Sequence, residues 1–205
     1  MSHCRSRSRR AIRLRRIALR TSWLVYAVLA AYDAHAADGR ITFDGEIADS
    51  TCQINGLAKN ADLMVKLPKV NSSALATDGD SAGLTSFTLK LTGCKATSGS
   101  VYPHFLFGDT IDPRTNRLIN SNTGNGGARN VQIALLNDDL SPIDLARDAG
   151  EQNVTKTELT PVTSGTPANT SGEATLKFYA QYVATGGGAS AGVVHANVMY
   201  AMVYP

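Results

Sequence analysis

Few residues in this sequence could carry covalent or metal chemistry. Two cysteines, Cys52 and Cys94, and two histidines, His104 and His195, follow residue 36. A zinc site needs about four ligands, and the histidines are far in sequence from each other and from both cysteines. The alternation around each histidine places it inside a strand pattern, and His195 has the parity opposite to Val194. We predict ordinary strand residues here, and no metal ligands.

The acidic pairs also lack a catalytic or metal-binding context. Asp78 and Asp80 lie in TDGDSAG, which lacks the acidic residue that closes a calcium loop. Asp138-Asp139 is interpreted as a solvated turn. The sequence contains no G-x-S-x-G, H-E-x-x-H or phosphate-binding loop motif. We therefore predict that the protein is not an enzyme and that it holds no metal and no cofactor.

The first 36 residues predict a secretory signal peptide. Residues 1–22 contain eight arginines and no acidic residue, an apolar run follows at Trp23–Tyr32, and Ala34-His35-Ala36 forms an A-x-A cleavage site. A membrane anchor is the alternative, but a span of about 20 apolar residues would be needed. Ser8-Arg9-Arg10 resembles a twin-arginine signal; we favour the general secretory route because no cofactor motif is found. The long basic region leaves open a translation start nearer Leu14–Leu19.

Export changes how the cysteines and the charge are interpreted. Cys4 leaves with the signal peptide, so Cys52 and Cys94 predict one disulfide that closes a loop of 43 residues. The formal charge of +3 divides into +7 before residue 37 and −4 after it. The basic character therefore belongs to the leader, and the exported chain has no electrostatic footprint for nucleic acid. Its 169 residues predict one domain with a substantial core.

Alternating apolar residues predict an all-β chain. Period-two patterns with β-branched and aromatic residues are typical of half-buried strands, and they occur at 40–47, 62–68, 86–94, 101–108, 130–137, 173–185 and 192–205. The connections are rich in turn residues. We predict a loop at Ser121–Gly127, a polar connection at Pro161–Gly172, a short helix within Leu140–Gly150, and a hairpin at Gly186–Ser190 that joins the last two strands. The predicted fold class is a β-sandwich.

The last residues of the chain carry a more specific signature. Tyr204 is next to last, glycine stands fourteenth from the end, and apolar residues occupy every second place between them. This pattern resembles the C-terminus of chaperone–usher, type 1-like fimbrial subunits. The members of the pattern are Gly192, Val194, Ala196, Val198, Tyr200, Met202 and Tyr204.

Four further segments resemble the same family, in the family's order. Gly39-x-Ile41-x-Phe43-x-Gly45 resembles the N-terminal extension, and Phe87-x-Leu89-x-Leu91-x-x-Cys94 the strand that bears the second cysteine. Asn130-Val131-Gln132-Ile133 resembles a central segment, although Asn130 stands where glycine is usual. Leu176-x-Phe178-x-Ala180-x-Tyr182 resembles the penultimate strand.

The resemblance implies an immunoglobulin-like sandwich that lacks its last strand and is completed by a strand from another chain. Residues 1–36 would then be the signal peptide, 37–47 a donor strand and 48–205 the pilin domain. The C-terminal pattern would border the groove that a periplasmic chaperone, and later the next subunit, fills by strand addition. The donor residues that face the groove would be Gly39, Ile41, Phe43, Gly45 and Ile47.

The implied function is a structural subunit of a surface fimbria, and within the family a single domain with a donor extension and this C-terminus suits a major subunit. Identical or related subunits, a periplasmic chaperone and an outer-membrane usher are the implied partners, and fimbriae of this kind support adhesion to a host receptor that the sequence does not specify. The alternatives are a minor adaptor or terminator subunit, or a self-contained exported β-sandwich that acts as a binding module. Oligomer behaviour distinguishes the last alternative, since a binding module would stay monomeric.

Overall fold

The computed structural model describes residues 52–58 and 61–205, and its regular structure is almost entirely β-strand. The signal peptide and the donor strand predicted for residues 1–47 lie outside the described residues. The strands are β1 Gln53–Ile54, β2 Ser81–Cys94, β3 Ser100–Phe105, β4 Ile111–Asp112, β5 Arg117–Ile119, β6 Val131–Asn137, β7 Thr157–Glu158, β8 Thr160–Ser164, β9 Asn169–Ala184 and β10 Tyr200–Val203. One turn of 3-10 helix, Ser72–Leu75, precedes β2. No helix in the described ranges is long and apolar enough to cross a membrane.

The strands form two antiparallel sheets. The larger sheet has the order β1-β2-β9-β6-β5-β4, with β8 also pairing with β9. The smaller sheet has the order β10-β3-β7. β10 therefore lies at the end of the smaller sheet, and β3 is its one strand partner in the described chain.

The two sheets enclose one main apolar core. Leu89 and Leu176 pair across β2 and β9 and are 2% and 1% exposed. Phe105 of the smaller sheet meets Phe178 of the larger sheet edge to face, with ring centroids 6.2 Å apart. Such aromatic pairs add to the free energy gained from apolar burial. The chain thus folds as a β-sandwich, in agreement with the predicted fold class.

Two predictions about local structure are wrong. Residues 62–68 form no strand in the structure, and none of residues 62–70 makes a backbone hydrogen bond to another described residue. Leu140–Gly150 contains turns and no helix. Leu140 has a positive φ of 65°, which interrupts a helix. The buried side-chain amide of Asn137 instead donates to the Ser141 hydroxyl and to the Asn153 carbonyl.

The connections near the C-terminus also differ from the prediction. Pro161–Gly172 is an exposed hairpin formed by β8 and the start of β9, whereas a polar connection was expected. Gly186–Ser190 makes no hairpin between the last two strands, because β9 already has β2 and β6 on its two edges. The chain crosses to the other sheet at this point, and β10 pairs with β3.

Candidate functional site

Segment 192–204 has a core-facing side and a solvent-facing side. Val193, His195 and Met199 are exposed, Met199 at 70%. The even-numbered side chains are partly buried and pack against the main core: Val194, Ala196, Val198, Tyr200, Met202 and Tyr204. Core residues on the neighbouring strands, by contrast, are almost fully buried. The core is therefore incompletely covered along this segment.

One backbone edge of this segment is bonded to the rest of the fold. The amide of Leu106, just after β3, donates to the Met199 carbonyl at 2.8 Å, and the amide of Ser121 donates to the His195 carbonyl at 2.8 Å. These bonds all involve odd-numbered residues of the segment. Because successive residues of an extended strand direct their backbone groups to opposite edges, the groups of Tyr200 and Met202 face away from β3. No described residue forms a ladder with that second edge.

Residues 61–70 lie close to this segment at both ends. Val70 and Val194 pack against the same small cluster, and Leu67 and Val198 each pack against the main core. At the other end, the Tyr200 hydroxyl donates to the Ala61 carbonyl at 2.8 Å. The two segments therefore run in opposite directions along a common region. We call this region, bordered by residues 61–70 and 194–204, the open groove.

Residues 62–66 form no ladder with the larger sheet. An open cleft separates residues 62–66 from residues 85–88 of β2. Leu63 and Met64 are exposed by 42% and 82%, and Phe87 of β2 is only partly buried. Neither border of the open groove thus has a strand partner on the groove side among the described residues.

Asn120 and Gly192 position the segment at its Gly192 end. Of these two residues, Asn120 was not singled out by the sequence. Buried Asn120 accepts a hydrogen bond from the His195 amide at 2.9 Å and donates to the Ala128 carbonyl at 2.8 Å. Gly192 lies against the backbone of Gly127 and Ala128, where an added Cβ would overlap main-chain atoms. The sequence predicted a polar loop at Ser121–Gly127. A loop pattern does not show which segment the backbone amides of the loop will bond, and here the Ser121 amide bonds His195.

The electrostatics of the open groove keep Tyr200 neutral. Burial raises the pKa of the Tyr200 phenol above its ordinary value, and the charges of Asp62 and Tyr204 act in the same direction. A neutral phenol keeps the proton that it donates to Ala61. The site therefore offers apolar contacts and backbone hydrogen bonds, which are the contacts of strand addition.

The other candidate residues contribute to structure. A disulfide joins Cys52 to Cys94. The carboxylates of Asp78 and Asp80 accept backbone amide hydrogen bonds from Gly186 and Thr77. Asp138 pairs with Lys177 at 2.8 Å, at the protein surface. No three His, Cys, Asp or Glu side chains within 52–58 and 61–205 are arranged to hold a metal ion.

Comparison with known proteins decides the family. The family model for FimA, the type-1 fimbrial protein A, matches residues 67–205. The chain belongs to this family. Its members are structural subunits of fimbriae and not enzymes, so this protein is a structural fimbrial subunit that belongs to a filament on the cell surface.

Individual relatives agree with the family. The chain is 42% identical to the major fimbrial subunit SMF-1 of Stenotrophomonas maltophilia, over 83% of this chain and 95% of that protein. It is 39% identical to the F17 fimbrial protein of Escherichia coli, over 88% and 96% of the two chains. A solved chaperone–usher pilus structure aligns with a TM-score of 0.52 at 18% identity, over 85% of this chain and 100% of that one. The last likeness concerns the fold alone and supports the incomplete immunoglobulin-like sandwich.

Proposed function

We infer that this fimbrial subunit polymerises by donor-strand exchange, with residues 37–47 of one subunit filling the open groove of the next. The observation that carries the proposal is the unpaired backbone edge of residues 194–202, above core-facing side chains that are only partly buried. An exposed edge of this kind pairs readily with another chain. Because the donor segment and the groove are different parts of the sequence, the contact between subunits is heterologous, and a heterologous contact that does not close generates a filament.

The sequence of the donor segment matches the needs of such a groove. Gly39, Ile41, Phe43, Gly45 and Ile47 share one parity, and the polar residues Arg40, Thr42, Asp44 and Glu46 share the other. Burial of a large apolar side chain contributes roughly 1.5–3 kcal/mol, and each ladder hydrogen bond adds about 1 kcal/mol net. A shift of one residue would turn the charged side chains toward the core. The alternation therefore fixes the register.

Before assembly, the open groove needs a temporary strand. A subunit alone would expose unpaired backbone groups and apolar side chains, which favours aggregation. We expect a periplasmic chaperone to lend that strand after export, and an outer-membrane usher to be the place where the next subunit replaces it. The predicted signal peptide at residues 1–36 is consistent with this route. We assign the chain to the fimbrial shaft, as a major subunit whose filament supports adhesion.

The test is a pair of substitutions with opposite parity in the donor segment. The variant Ile41→Asp/Phe43→Asp places two charges in the groove and should abolish filaments, because a buried unpaired charge is strongly unfavourable. The matched control, Arg40→Asp/Thr42→Asp, changes the outward parity and should leave filaments in place. Electron microscopy of the cell surface gives the readout. Wild-type filament numbers for the first variant would overturn the proposal.

A further inference from the structure

The hydrogen bond between Tyr200 and Ala61 crosses the open groove. The hydroxyl and the carbonyl belong to residues 139 positions apart in sequence, and their oxygen atoms are 2.8 Å apart. Tyr200 is the first residue of β10, and Ala61 is the first described residue of the opposite border. The bond therefore joins the two borders that an incoming strand must separate or bridge.

The Tyr200 hydroxyl reaches the Ala61 carbonyl from the β10 side of the groove. A hydrogen-bond donor lies roughly along the lone-pair direction of the carbonyl that it approaches, and this donor comes from the side of β10. A strand that enters between the borders would present its own amides to carbonyls with this orientation. The Tyr200 hydroxyl would then compete with an amide of the incoming strand for the Ala61 carbonyl.

Little else holds this border in position. Residues 62–70 make no backbone hydrogen bond to described residues, and the cleft beside β2 separates residues 62–66 from the larger sheet. The apolar contacts of Leu67 and Val70 anchor the far end of the segment. At the near end, the Tyr200 hydroxyl provides the direct polar tie.

We propose that the Tyr200 hydroxyl is a latch that holds the Ala61 end of the open groove closed until an incoming strand displaces it. The proposal rests on donor-strand exchange as the function of this groove. The latch stabilises the strand-free subunit. Once an amide of the incoming strand donates to the Ala61 carbonyl, the Tyr200 hydroxyl no longer bonds that carbonyl. Its removal should therefore speed strand insertion and leave strand release unchanged. A side chain with a merely structural role would have the opposite effect, since its loss would weaken the groove and speed release.

The experiment measures the uptake of a fluorescein-labelled synthetic peptide with the sequence of residues 37–47. The acceptor is the full exported chain from residue 37 with Ile41→Asp and Phe43→Asp, so that its own donor segment does not compete with the peptide. It is used at nanomolar concentration immediately after refolding, so that insertion precedes aggregation, and fluorescence anisotropy follows insertion and release separately. Tyr200→Phe removes the hydroxyl and keeps the ring. Loss of one hydrogen bond with a net contribution of about 1 kcal/mol should raise the insertion rate roughly two- to tenfold. Tyr200→Leu provides a second variant without a hydroxyl and should also insert the peptide faster than wild type.

Controls separate the latch from the groove itself. Tyr102→Phe removes a hydroxyl from the outer side of β3, keeps the ring that Lys156 contacts, and should insert the peptide at the wild-type rate. Unchanged or slower insertion in both Tyr200 variants, with normal uptake by the wild type, would overturn the latch and leave strand exchange intact. If the wild-type chain takes up no peptide, donor-strand exchange fails and the latch fails with it.

Discussion

Gly192 lies so close to Ala128 that no side chain can be accommodated between them. An added Cβ would overlap the Ala128 amide nitrogen, and the Gly192 φ of +159° is one that residues with a side chain rarely adopt. On either side of this contact, the Val193 amide donates to the Gly126 carbonyl at 2.7 Å, and the Ala128 amide donates to the Val193 carbonyl at 3.0 Å. Gly192 therefore positions the start of segment 192–204 against Gly127 and Ala128.

Replacing Gly192 by valine should destabilise the subunit. Main-chain atoms must move to admit the side chain, and overpacking of this kind costs about 1–3 kcal/mol. For a chain of this size, each kcal/mol lowers the melting temperature by roughly 2–4 °C. Gly124→Val is the matched control, because no atom lies within 4 Å of a Cβ placed there. Calorimetry on a subunit with a linked donor strand tests this, and equal melting temperatures for the two variants would contradict the steric role.

Two adjacent residues of segment 192–204 should differ sharply in their tolerance of charge. Val198 packs against the core, whereas Met199 is 70% exposed. Val198→Asp should reduce filament yield by roughly tenfold or more, because a buried carboxylate without a partner costs well over 1.4 kcal/mol. Met199→Asp should assemble normally. Similar filament yields from both variants, quantified by electron microscopy, would show that the parity of the segment does not matter.

The disulfide should contribute substantially to stability. It closes a sequence separation of 42 residues between Cys52, just before β1, and Cys94 at the end of β2. The chain-entropy model gives about 4 kcal/mol for such a loop. The double variant Cys52→Ser/Cys94→Ser should therefore unfold at a clearly lower urea concentration. An unchanged urea midpoint would mean that the contacts of β1 with β2 already fix this loop without the covalent bond.

Asp112 should make stability depend on pH in the acid range. Its pKa is lowered, first by the hydrogen bond from the Arg114 amide and also by the one from Gln132, whereas burial opposes the shift. A lowered folded-state pKa means that Asp112 contributes stability above its ordinary pKa of 3.8, and that this contribution is lost as the pH falls through the folded value. The stability difference between wild type and Asp112→Asn should therefore shrink from pH 7 to pH 3. Asp109→Asn, at an exposed position, is the control, and a difference that does not vary with pH would contradict this role.

Local alternation predicted most of the strands, and long-range pairing accounts for the errors. The parity of β2 and β9 is a local property, so Phe87-x-Leu89 and Leu176-x-Phe178 predicted core-facing side chains that the structure pairs directly. The Gly186–Ser190 turn has hairpin composition, but its outcome depends on which strand edges remain free, and both edges of β9 are occupied.

The borders of the open groove illustrate the same limit. Residues 62–68 alternate like a strand, yet no described segment lies beside them to form a ladder. A pattern of this kind predicts a strand whether its partner belongs to the same chain or to another. The contribution of Asn120, whose side chain bonds the His195 amide, had no local signal because the two residues are 75 positions apart.

The most direct test compares the thermal unfolding of two chains. The first contains residues 48–205, and the second adds a flexible linker and a copy of Ala37–Ile47 after Pro205. Donor-strand exchange predicts that the first chain aggregates or unfolds without cooperativity, and that the second melts cooperatively as a monomer. A third chain, with Ile41→Asp and Phe43→Asp in the added copy, should behave like the first. If the first two chains are both monomeric and melt at the same temperature, the sandwich is complete without the donor strand and the filament mechanism is wrong.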